Sequence, residues 1–323
     1  MGRLTTRGGA AGGGLGVAAP NGSGQGASPG AARRRRMSMS KRYALTAYLF
    51  LLPAFAFFGV MYYTPIVNII TNSFRTGPRA DTFTGFDNFT RVVSDQAVHN
   101  SFVVTLIFGA GTTIGAIVIG LALALLVDKP LRGRVVFRAA LLVPYLTSIA
   151  IVGLLWRNIL DPQLGILNRV LDSAGLPTQA WLNTNPLATI IGVTLWMNVG
   201  YTMVLFLAGL QGIPETYREA ATIDGANAWQ RFWRITLPLL APTTLFVSVM
   251  MVISGFQAFA QAYIITGGGP ADRTDLYIFH VFNVAFTARD FGYASALSFL
   301  LLLVIIAFTV VQLRIGRRGE VQY

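Results

Sequence analysis

Three side-chain amides lie inside two long apolar stretches of the sequence, residues 187–210 and 241–265: Asn198, Gln257 and Gln261. Gln257 and Gln261 are four positions apart, so in a helix they would share one face. A polar group inside hydrocarbon is costly, which makes these amides candidates for contact with a polar ligand. The candidate set is completed by nearby aromatic residues, namely Trp196, Tyr201, Phe256 and Tyr263. Amides beside aromatic faces suit an uncharged, hydroxyl-rich ligand such as a sugar. The alternative is that the amides only hold neighbouring helices together.

The sequence lacks the residue combinations that support catalysis or nucleotide binding. It has no cysteine, which excludes cysteine-ligated zinc, iron–sulfur clusters and thiol catalysis. Its two histidines, His99 and His280, are far apart in sequence. Neither of its lysines, Lys41 and Lys129, follows a glycine as a phosphate-binding loop requires. We therefore predict that the chain is not an enzyme, holds no metal and binds no cofactor or ATP itself.

The composition excludes a soluble globular protein. Charged residues make up 12% of the chain against about 25% in soluble domains, and the mean hydropathy is +0.58. The net charge of +12 is divided among the gaps between apolar stretches, so no basic patch for nucleic acid is expected. The composition therefore predicts a protein embedded in a lipid bilayer.

The apolar stretches predict an all-α integral membrane protein, because continuous hydrophobicity of about 20 residues is typical of a spanning helix. None of them carries an ionisable residue in its core, which disfavours coupling to protons. Six transmembrane helices are predicted, near residues 43–63, 101–127, 139–159, 187–210, 241–265 and 292–313.

The distribution of Lys and Arg orients these helices. Basic residues concentrate in the N-terminal segment, after the second, fourth and sixth helices, which places both termini in the cytoplasm. Residues 1–42 are rich in Gly and end in the cluster Arg33–Arg36, which predicts a disordered cytoplasmic tail. A cleavable signal peptide is the alternative, but its candidate site at Ala54–Ala56 lies inside an apolar run, which favours an uncleaved anchor. Residues 316–323 form a predicted cytoplasmic C-terminus.

The segment between the fourth and fifth helices, residues 214–240, predicts a compact helix–turn–helix on the cytoplasmic face. Pro214 suits the start of a short helix that continues to Asn227, and Gly225 permits a sharp turn. A second, amphipathic helix over residues 228–236 would place Trp229, Phe232 and Trp233 along one side. An ordinary helical loop that caps the bundle is the alternative.

This segment resembles the EAA loop of permease subunits of binding-protein-dependent ABC importers. The family pattern is E-A-A, then three residues and G, then I-x-L-P after about nine further residues. The matching positions are Glu219, Ala220, Ala221, Asp224, Gly225, Ala226, Ile235, Leu237 and Pro238. So many matches at fixed spacing make the resemblance specific.

Residues 43–315 also resemble the carbohydrate-uptake group, of the MalF-like or UgpA-like type. The residues that carry this resemblance are Gly85–Phe89, Asp161, Pro162, Gly165, Asn168, Ile265–Pro270, Thr274, Tyr277–Phe286 and Phe291–Ala294. The resemblance implies the type I ABC importer permease fold, with a six-helix domain over 43–315. It also implies a multi-pass location in the plasma membrane of a bacterium.

The resemblance further implies a transport function. The chain would translocate a sugar or small polyol by alternating access, together with a second homologous permease, two copies of an ABC ATPase and an extracytoplasmic solute-binding protein. ATP and Mg would bind to the ATPase, which would contact Glu219, Ala220, Ala221, Asp224, Gly225 and Ala226, with Leu237 and Pro238 continuing the motif. A stand-alone channel or secondary carrier for a small neutral solute is the alternative.

Overall fold

The computed structural model describes residues 39–77, 79–129 and 133–317. Residues 1–38 of the predicted tail and residues 318–323 of the predicted C-terminus therefore lie outside the described residues. The chain divides into two units, residues 1–57 and 58–323.

The described part of the first unit is helical and belongs to α1, Met39–Phe58. Its large apolar side chains are exposed, among them Tyr48, Phe50 and Phe55. The apolar helical stretch Thr46–Asn72 is long enough to cross a bilayer, and none of the residues in its most hydrophobic part is buried. The exposure suits a helix surrounded by hydrocarbon or by another subunit.

The second unit is almost entirely helical. It begins with a π-helical turn, Gly59–Tyr63, followed by α2, Thr64–Asn72. A two-stranded antiparallel hairpin follows, formed by β1, Arg75–Thr76, and β2, Thr82–Phe83. The next helices are α3, Asp87–Ser94; α4, Gln96–Asp128; α5, Arg134–Leu146; α6, Ile149–Ile159; α7, Ile166–Ser173; α8, Trp181–Thr184; and α9, Pro186–Gln211.

The remaining elements include several π-helical turns. They are α10, Glu215–Ile223; α11, Ala228–Arg231; a π turn, Phe232–Thr236; α12, Leu237–Leu239; α13, Ala241–Phe256; a π turn, Gln261–Thr266; α14, Tyr277–Phe282; a π turn, Asn283–Thr287; and α15, Phe291–Arg317. Four helical stretches of the described chain are long and apolar enough to span a membrane, and up to six are if each bent pair counts as one span.

Two of the predicted spans depart from continuous helices. The stretch predicted over 139–159 is divided into α5 and α6, which meet at an angle of 97°. The break falls at Thr147 and Ser148, whose backbones are extended, with ψ of 142° and 131°. In the stretch predicted over 241–265, α13 ends at Phe256 and a separate π-helical turn begins at Gln261, while a bend of 63° precedes α13. Hydropathy reports whether a segment is apolar, but not whether it changes direction.

Small residues let the long helices approach closely. On α4, a Cβ added to Gly120 would lie 2.4 Å from the Thr202 hydroxyl of α9, and one on Gly255 of α13 would lie 2.9 Å from the Cα of Gly109. Thr202 donates a hydrogen bond to the Ala116 carbonyl across the same interface, at 3.2 Å. Helices in lipid associate through such close packing, since no hydrophobic effect drives them together. Helices α4, α9 and α13 therefore form the core that holds the cavity described below.

Buried amides fix two of the connections between the long helices. Asn88 donates to the carbonyls of Ser73 and Arg75, at 2.9 and 2.7 Å. Asn168 bonds the backbone at Pro162 and Gln179 and accepts from the Trp181 indole N–H. Both asparagines belong to segments that carry the family resemblance, and their positions indicate a structural role.

Candidate functional site

A cavity of about 730 Å³ opens between α4, the α5–α6 break, α9 and the segment that follows α13. Its volume lies in the range of about 300–1,000 Å³ that is typical of sites for small molecules. The polar residues of its lining are Thr112, Tyr145, Thr147, Thr194, Asn198, Ser254, Gln257 and Gln261.

The cavity brings together all three amides singled out in the sequence. Asn198 lies on α9. Gln257 and Gln261 also line the cavity, but they do not lie on one helix as the sequence predicted. Helix α13 ends at Phe256, and Gln261 begins a separate π turn, so the two glutamines do not lie on one face of a continuous helix. The expected helical spacing is wrong, although the expected proximity of the two glutamines is observed.

The four aromatic residues of the predicted set lie outside the cavity lining. Tyr201 stacks on the lining residue Tyr145, with ring centroids 4.4 Å apart, and Tyr263 stacks on the lining residue Phe259 at 5.2 Å. Tyr201 and Tyr263 can therefore influence the cavity only by positioning the lining residues Tyr145 and Phe259.

The other two aromatics are further removed from a direct role. Trp196 packs edge-on against Trp156, and Phe256 is buried against Phe308. Tyr145 and Thr147 also line the cavity but were not predicted to do so, because a continuous helix was expected there. Thr147 and Ser148 are adjacent hydroxyl residues in the middle of an apolar stretch, and this pair could have indicated the break in the helix.

Most hydroxyl groups of the lining bond their own helices. Thr112, Thr147 and Thr194 each donate to the carbonyl four residues earlier, at 2.8, 2.9 and 2.7 Å. Asn198 uses its amide N–H in the same way, donating to the Thr194 carbonyl at 2.9 Å. Among the described residues, the side chains of Gln257 and Gln261 have no hydrogen-bond partner, so both donors and acceptors of these amides are available to a ligand.

The predicted helix–turn–helix is present at the other candidate site. Helix α10 ends at Ile223, and Gly225 follows with a φ of +73°. The Ala226 N–H bonds the Ala221 carbonyl at 2.9 Å, and the Gly225 N–H bonds the Thr222 carbonyl at 3.1 Å. These two bonds form a Schellman motif, in which a left-handed residue closes a helix. The turn therefore requires the conformation that glycine adopts most readily.

The second helix of this loop begins with a capping box. The Asn227 side chain accepts from the Gln230 N–H, and the Gln230 side chain accepts from the Asn227 N–H, both at 2.9 Å. Trp229, Phe232 and Trp233 then form a cluster of edge-to-face and tilted rings, as the sequence predicted. Caps at both sides of the turn hold the two helices in a defined relation.

The residues of the E-A-A pattern form much of the surface of this loop. A recess of about 510 Å³ is lined in part by Ala220, Ala221, Asp224, Gly225 and Ala226, while Glu219 borders a second recess beside Arg231. Leu237 and Pro238 lie in the short helix that leads into α13. Ile223 was not among the predicted contact residues, yet it is 86% exposed at the tip of α10. Trp229 and Trp233 of the same loop are also exposed, so the loop presents several large apolar side chains to its surroundings.

A charged network connects the start of α4 to the start of α15. Asp95 accepts from the Ala97 N–H at 3.0 Å and from the Tyr293 hydroxyl at 2.9 Å. Arg91 pairs with Asp290 at 2.8 Å and lies 3.8 Å from the centre of the Tyr293 ring. Partial burial raises the pKa of Asp95, but the hydrogen bonds from Tyr293, Ala97 and Val98 outweigh this and lower it.

Residues 116–319 match the family model described as "Binding-protein-dependent transport system inner membrane component". The chain is 36% identical to the sn-glycerol-3-phosphate transport system permease protein UgpA of Agrobacterium fabrum, over 73% of this chain and 81% of that protein. It is 35% identical to the UgpA protein of Brucella abortus, over 83% and 93%. It is 30% identical to the probable ABC transporter permease protein YurN of Bacillus subtilis, over 87% and 99%.

The fold is similar to a chain in the crystal structure of a bacterial ABC transporter that imports the acidic polysaccharide alginate. The TM-score is 0.77 at 21% identity, with 86% of this chain and 97% of that chain covered. A second structure of an alginate transporter, in complex with a periplasmic protein that carries an alginate pentasaccharide, gives the same TM-score of 0.77 at 22% identity, with 88% and 98% covered.

Proposed function

The chain belongs to the family of binding-protein-dependent transport system inner membrane components, and we propose that it is the permease subunit of an ABC importer that carries a sugar or a related polyol. The observation that carries the proposal is the exposed helix–turn–helix around Gly225, on a protein whose long apolar helices surround a cavity lined by three side-chain amides. The carbohydrate-related transport named for its relatives supports the substrate class.

We infer six membrane spans, counting α5 with α6 and the bent pair that ends in α13 as one span each. Both termini and the loop 214–240 would then lie in the cytoplasm, with the protein in a bacterial plasma membrane. The distribution of Lys and Arg along the sequence supports this orientation.

The loop 214–240 is the proposed contact for the ATPase. The small side chains of Ala220 and Ala226 let another surface approach closely, and the exposed Ile223 offers an apolar anchor. The carboxylates of Glu219 and Asp224 are exposed and suited to pair with basic groups or helix N-termini of that subunit. ATP and Mg would bind there and not on this chain, so closure of the ATPases would reach α13 through Leu237 and Pro238.

The cavity is the proposed part of the substrate path. Asn198, Gln257 and Gln261 would contact the solute directly, whereas Tyr201 and Tyr263 would position Tyr145 and Phe259. A second, homologous permease would complete the cavity, two ATPase copies would drive alternating access, and a solute-binding protein would deliver the sugar. The periplasmic protein named in the complex of a similar transporter supports the last partner.

A stand-alone channel or secondary carrier is not favoured, since it would not need an exposed docking loop. The distinguishing experiment measures solute accumulation in proteoliposomes that contain the importer with its ATPase and binding protein. We expect uptake against a gradient only when ATP is supplied on the ATPase side. Equilibration of the solute without ATP, by this chain alone, would support the carrier or channel instead.

A further inference from the structure

A groove of about 440 Å³ lies where α4 and α9 begin, and it shares no lining residue with the cavity described above. We refer to it as the boundary groove. One end is lined by the polar side chains of Asn100, Asn185 and Arg273. The other end is lined by apolar side chains, among them Ile107 and Ile191, which lie further along the same two helices. The boundary groove is therefore amphipathic along its length.

The boundary groove lies across the edge of the predicted membrane spans. Asn100 directly precedes the span predicted over 101–127, and Asn185 precedes the one predicted over 187–210. Ile107 is seven residues further along α4, which is about 10 Å in a helix. Its side chain is 51% exposed, so the described residues leave the apolar end uncovered. The polar end therefore falls at the depth of lipid headgroups and the apolar end at the depth of acyl chains.

The loop that carries Arg273 is attached to α4. The Asn100 side chain donates a hydrogen bond to the Asp272 carbonyl at 3.2 Å, and the Arg273 N–H donates to the Pro270 carbonyl, also at 3.2 Å. Arg273 is exposed, and its guanidinium has no ion pair or hydrogen bond with any residue that the structure describes. No carboxylate of the described residues lines the boundary groove. The polar end therefore presents one uncompensated positive charge.

The start of α9 adds to this positive potential. Asn185 occupies the N-cap position of this 26-residue helix, but its side chain makes no capping bond. The N–H groups of Leu187 and Ala188, which both line the groove, have no acceptor within the described part of the chain. Uncapped N–H groups and the helix dipole favour an anion, and phosphate is commonly held in this way. Arg273 and the start of α9 therefore favour an anion at the same end of the groove, from two separate elements.

A phospholipid matches both ends of the boundary groove. Its phosphate forms charge-assisted hydrogen bonds with a guanidinium, and its acyl chain covers apolar residues that a free phosphate ion would leave uncovered. A choline headgroup, by contrast, would bring a second positive charge close to Arg273.

We propose that the boundary groove binds an anionic phospholipid, with its phosphate between Arg273 and the start of α9 and one acyl chain along Ile107 and Ile191. The site is separate from the cavity, and the inference does not depend on which solute the protein carries.

The test is native mass spectrometry of the purified importer complex after removal of its native lipids. The probes are phosphatidylglycerol, whose headgroup is anionic, and phosphatidylcholine with the same acyl chains, whose headgroup is zwitterionic. We expect the wild type to bind phosphatidylglycerol about tenfold more tightly, and Arg273→Gln to bind the two lipids equally, because a hydrogen bond between charged groups is lost. Equal binding of the two lipids by the wild type would overturn the inference, and so would an unchanged preference in Arg273→Gln.

A second variant, Ala188→Asp, separates lipid binding from folding. Ala188 lies in the first turn of α9, where an acidic residue stabilises a helix, so the variant should keep or raise the melting temperature. Its carboxylate would repel a phosphate at the same place, so the preference for phosphatidylglycerol should be lost. A preference that survives in Ala188→Asp would contradict the assignment.

Arg169→Gln is the matched control for the loss of charge. Arg169 is exposed on α7 and does not line the boundary groove. The variant removes the same charge as Arg273→Gln and should bind phosphatidylglycerol as the wild type does. An equal loss of preference in both arginine variants would show that the overall charge of the protein, and not the groove, selects the lipid, which would overturn the inference.

The competing occupant of the boundary groove is the proposed solute-binding protein. Stimulation of ATP hydrolysis by that protein is therefore measured for the wild type and for Arg273→Gln. We expect Arg273→Gln to lose the lipid preference and to retain the stimulation. If this variant instead loses the stimulation and keeps its preference for phosphatidylglycerol, the groove contacts the binding protein and the inference fails.

Discussion

Gly225 adopts a left-handed backbone conformation, although no neighbouring atom crowds its Cα. Its φ is +73°, yet a Cβ added there would meet no atom within 4 Å. The cost of replacing it is therefore local strain, about 1–2 kcal/mol for a β-branched residue in the left-handed region.

Gly225→Val should reduce transport-coupled ATP hydrolysis while the protein still inserts into the membrane. Gly175 is the matched control, with a φ of +70° and no atom within 4 Å of an added Cβ. Gly175→Val carries the same strain away from the loop and should leave the coupling intact. Equal loss of coupled ATPase activity in both variants would show that strain alone, and not the position in the loop, causes the effect.

Asn198 and Asn158 make the same local hydrogen bond in different surroundings. Each donates to the carbonyl four residues earlier, at 2.9 and 3.0 Å, but only Asn198 lines the cavity. Asn198→Leu should lower the rate of uptake by about tenfold, the effect of losing one or two ligand hydrogen bonds. Asn158→Leu should leave the rate near that of the wild type. A similar loss in both variants would assign these amides to helix structure only.

The Tyr293 hydroxyl stabilises the ionised form of Asp95, so its removal should be sensitive to pH. We expect Tyr293→Phe to lower the free energy of unfolding by about 1 kcal/mol at neutral pH, since the carboxylate remains partly exposed to water. The folded-state pKa of Asp95 is depressed, so its contribution exists above the ordinary carboxyl pKa and is lost as the pH falls through the folded value.

The difference between wild type and Tyr293→Phe should therefore shrink as the pH is lowered below about 4, measured by thermal unfolding in detergent. Tyr263→Phe is the control, because Tyr263 lies outside the Asp95 network, and its effect should not depend on pH in this range. A constant difference between wild type and Tyr293→Phe would contradict the role assigned to Asp95.

At the scale of elements, two glycines of α9 differ in how closely a neighbouring helix approaches them. A Cβ on Gly200 would lie 1.9 Å from the Leu141 carbonyl oxygen of α5, whereas one on Gly192 of the same helix would meet nothing within 4 Å. Gly200→Ala should therefore destabilise the protein by about 1–3 kcal/mol through overpacking. Gly192→Ala should be neutral or stabilising by up to about 1 kcal/mol, because alanine favours a helix. Thermal unfolding of the two variants checks the difference, and equal stability would contradict the close approach of α5 and α9.

The sequence predicted elements best where a local rule determines them. Gly225 and the amphipathic segment after it specified the turn and the second helix of the loop, because glycine at a helix end acts locally. The first helix was expected to continue to Asn227 but ends at Ile223, since Asn227 instead caps the second helix. The break between α5 and α6 escaped prediction, because apolar composition does not encode direction. Gln257 and Gln261 were identified for their chemistry, but their position beyond the end of α13 depends on tertiary structure.

At the scale of the whole molecule, the described chain leaves two kinds of surface uncovered. The exposed apolar side chains along its spanning helices suit lipid or neighbouring subunits, and the loop 214–240 exposes Ile223 and Trp229 on a polar part of the protein. Among the described residues that line the cavity, none carries a charge. These features are consistent with a subunit that works within a larger transporter.

Co-purification with the ATPase after mild detergent extraction tests the central claim most directly. Wild type is compared with a double variant, Glu219→Lys and Gly225→Val, and with the control Asp172→Lys and Gly175→Val, which makes an equivalent charge reversal and the same glycine substitution away from the loop. We expect the ATPase to accompany the wild type and the control and to be lost from the loop variant. If no ATPase accompanies the wild type, or if the loop variant retains it fully, the assignment of residues 214–240 as the ATPase contact is contradicted.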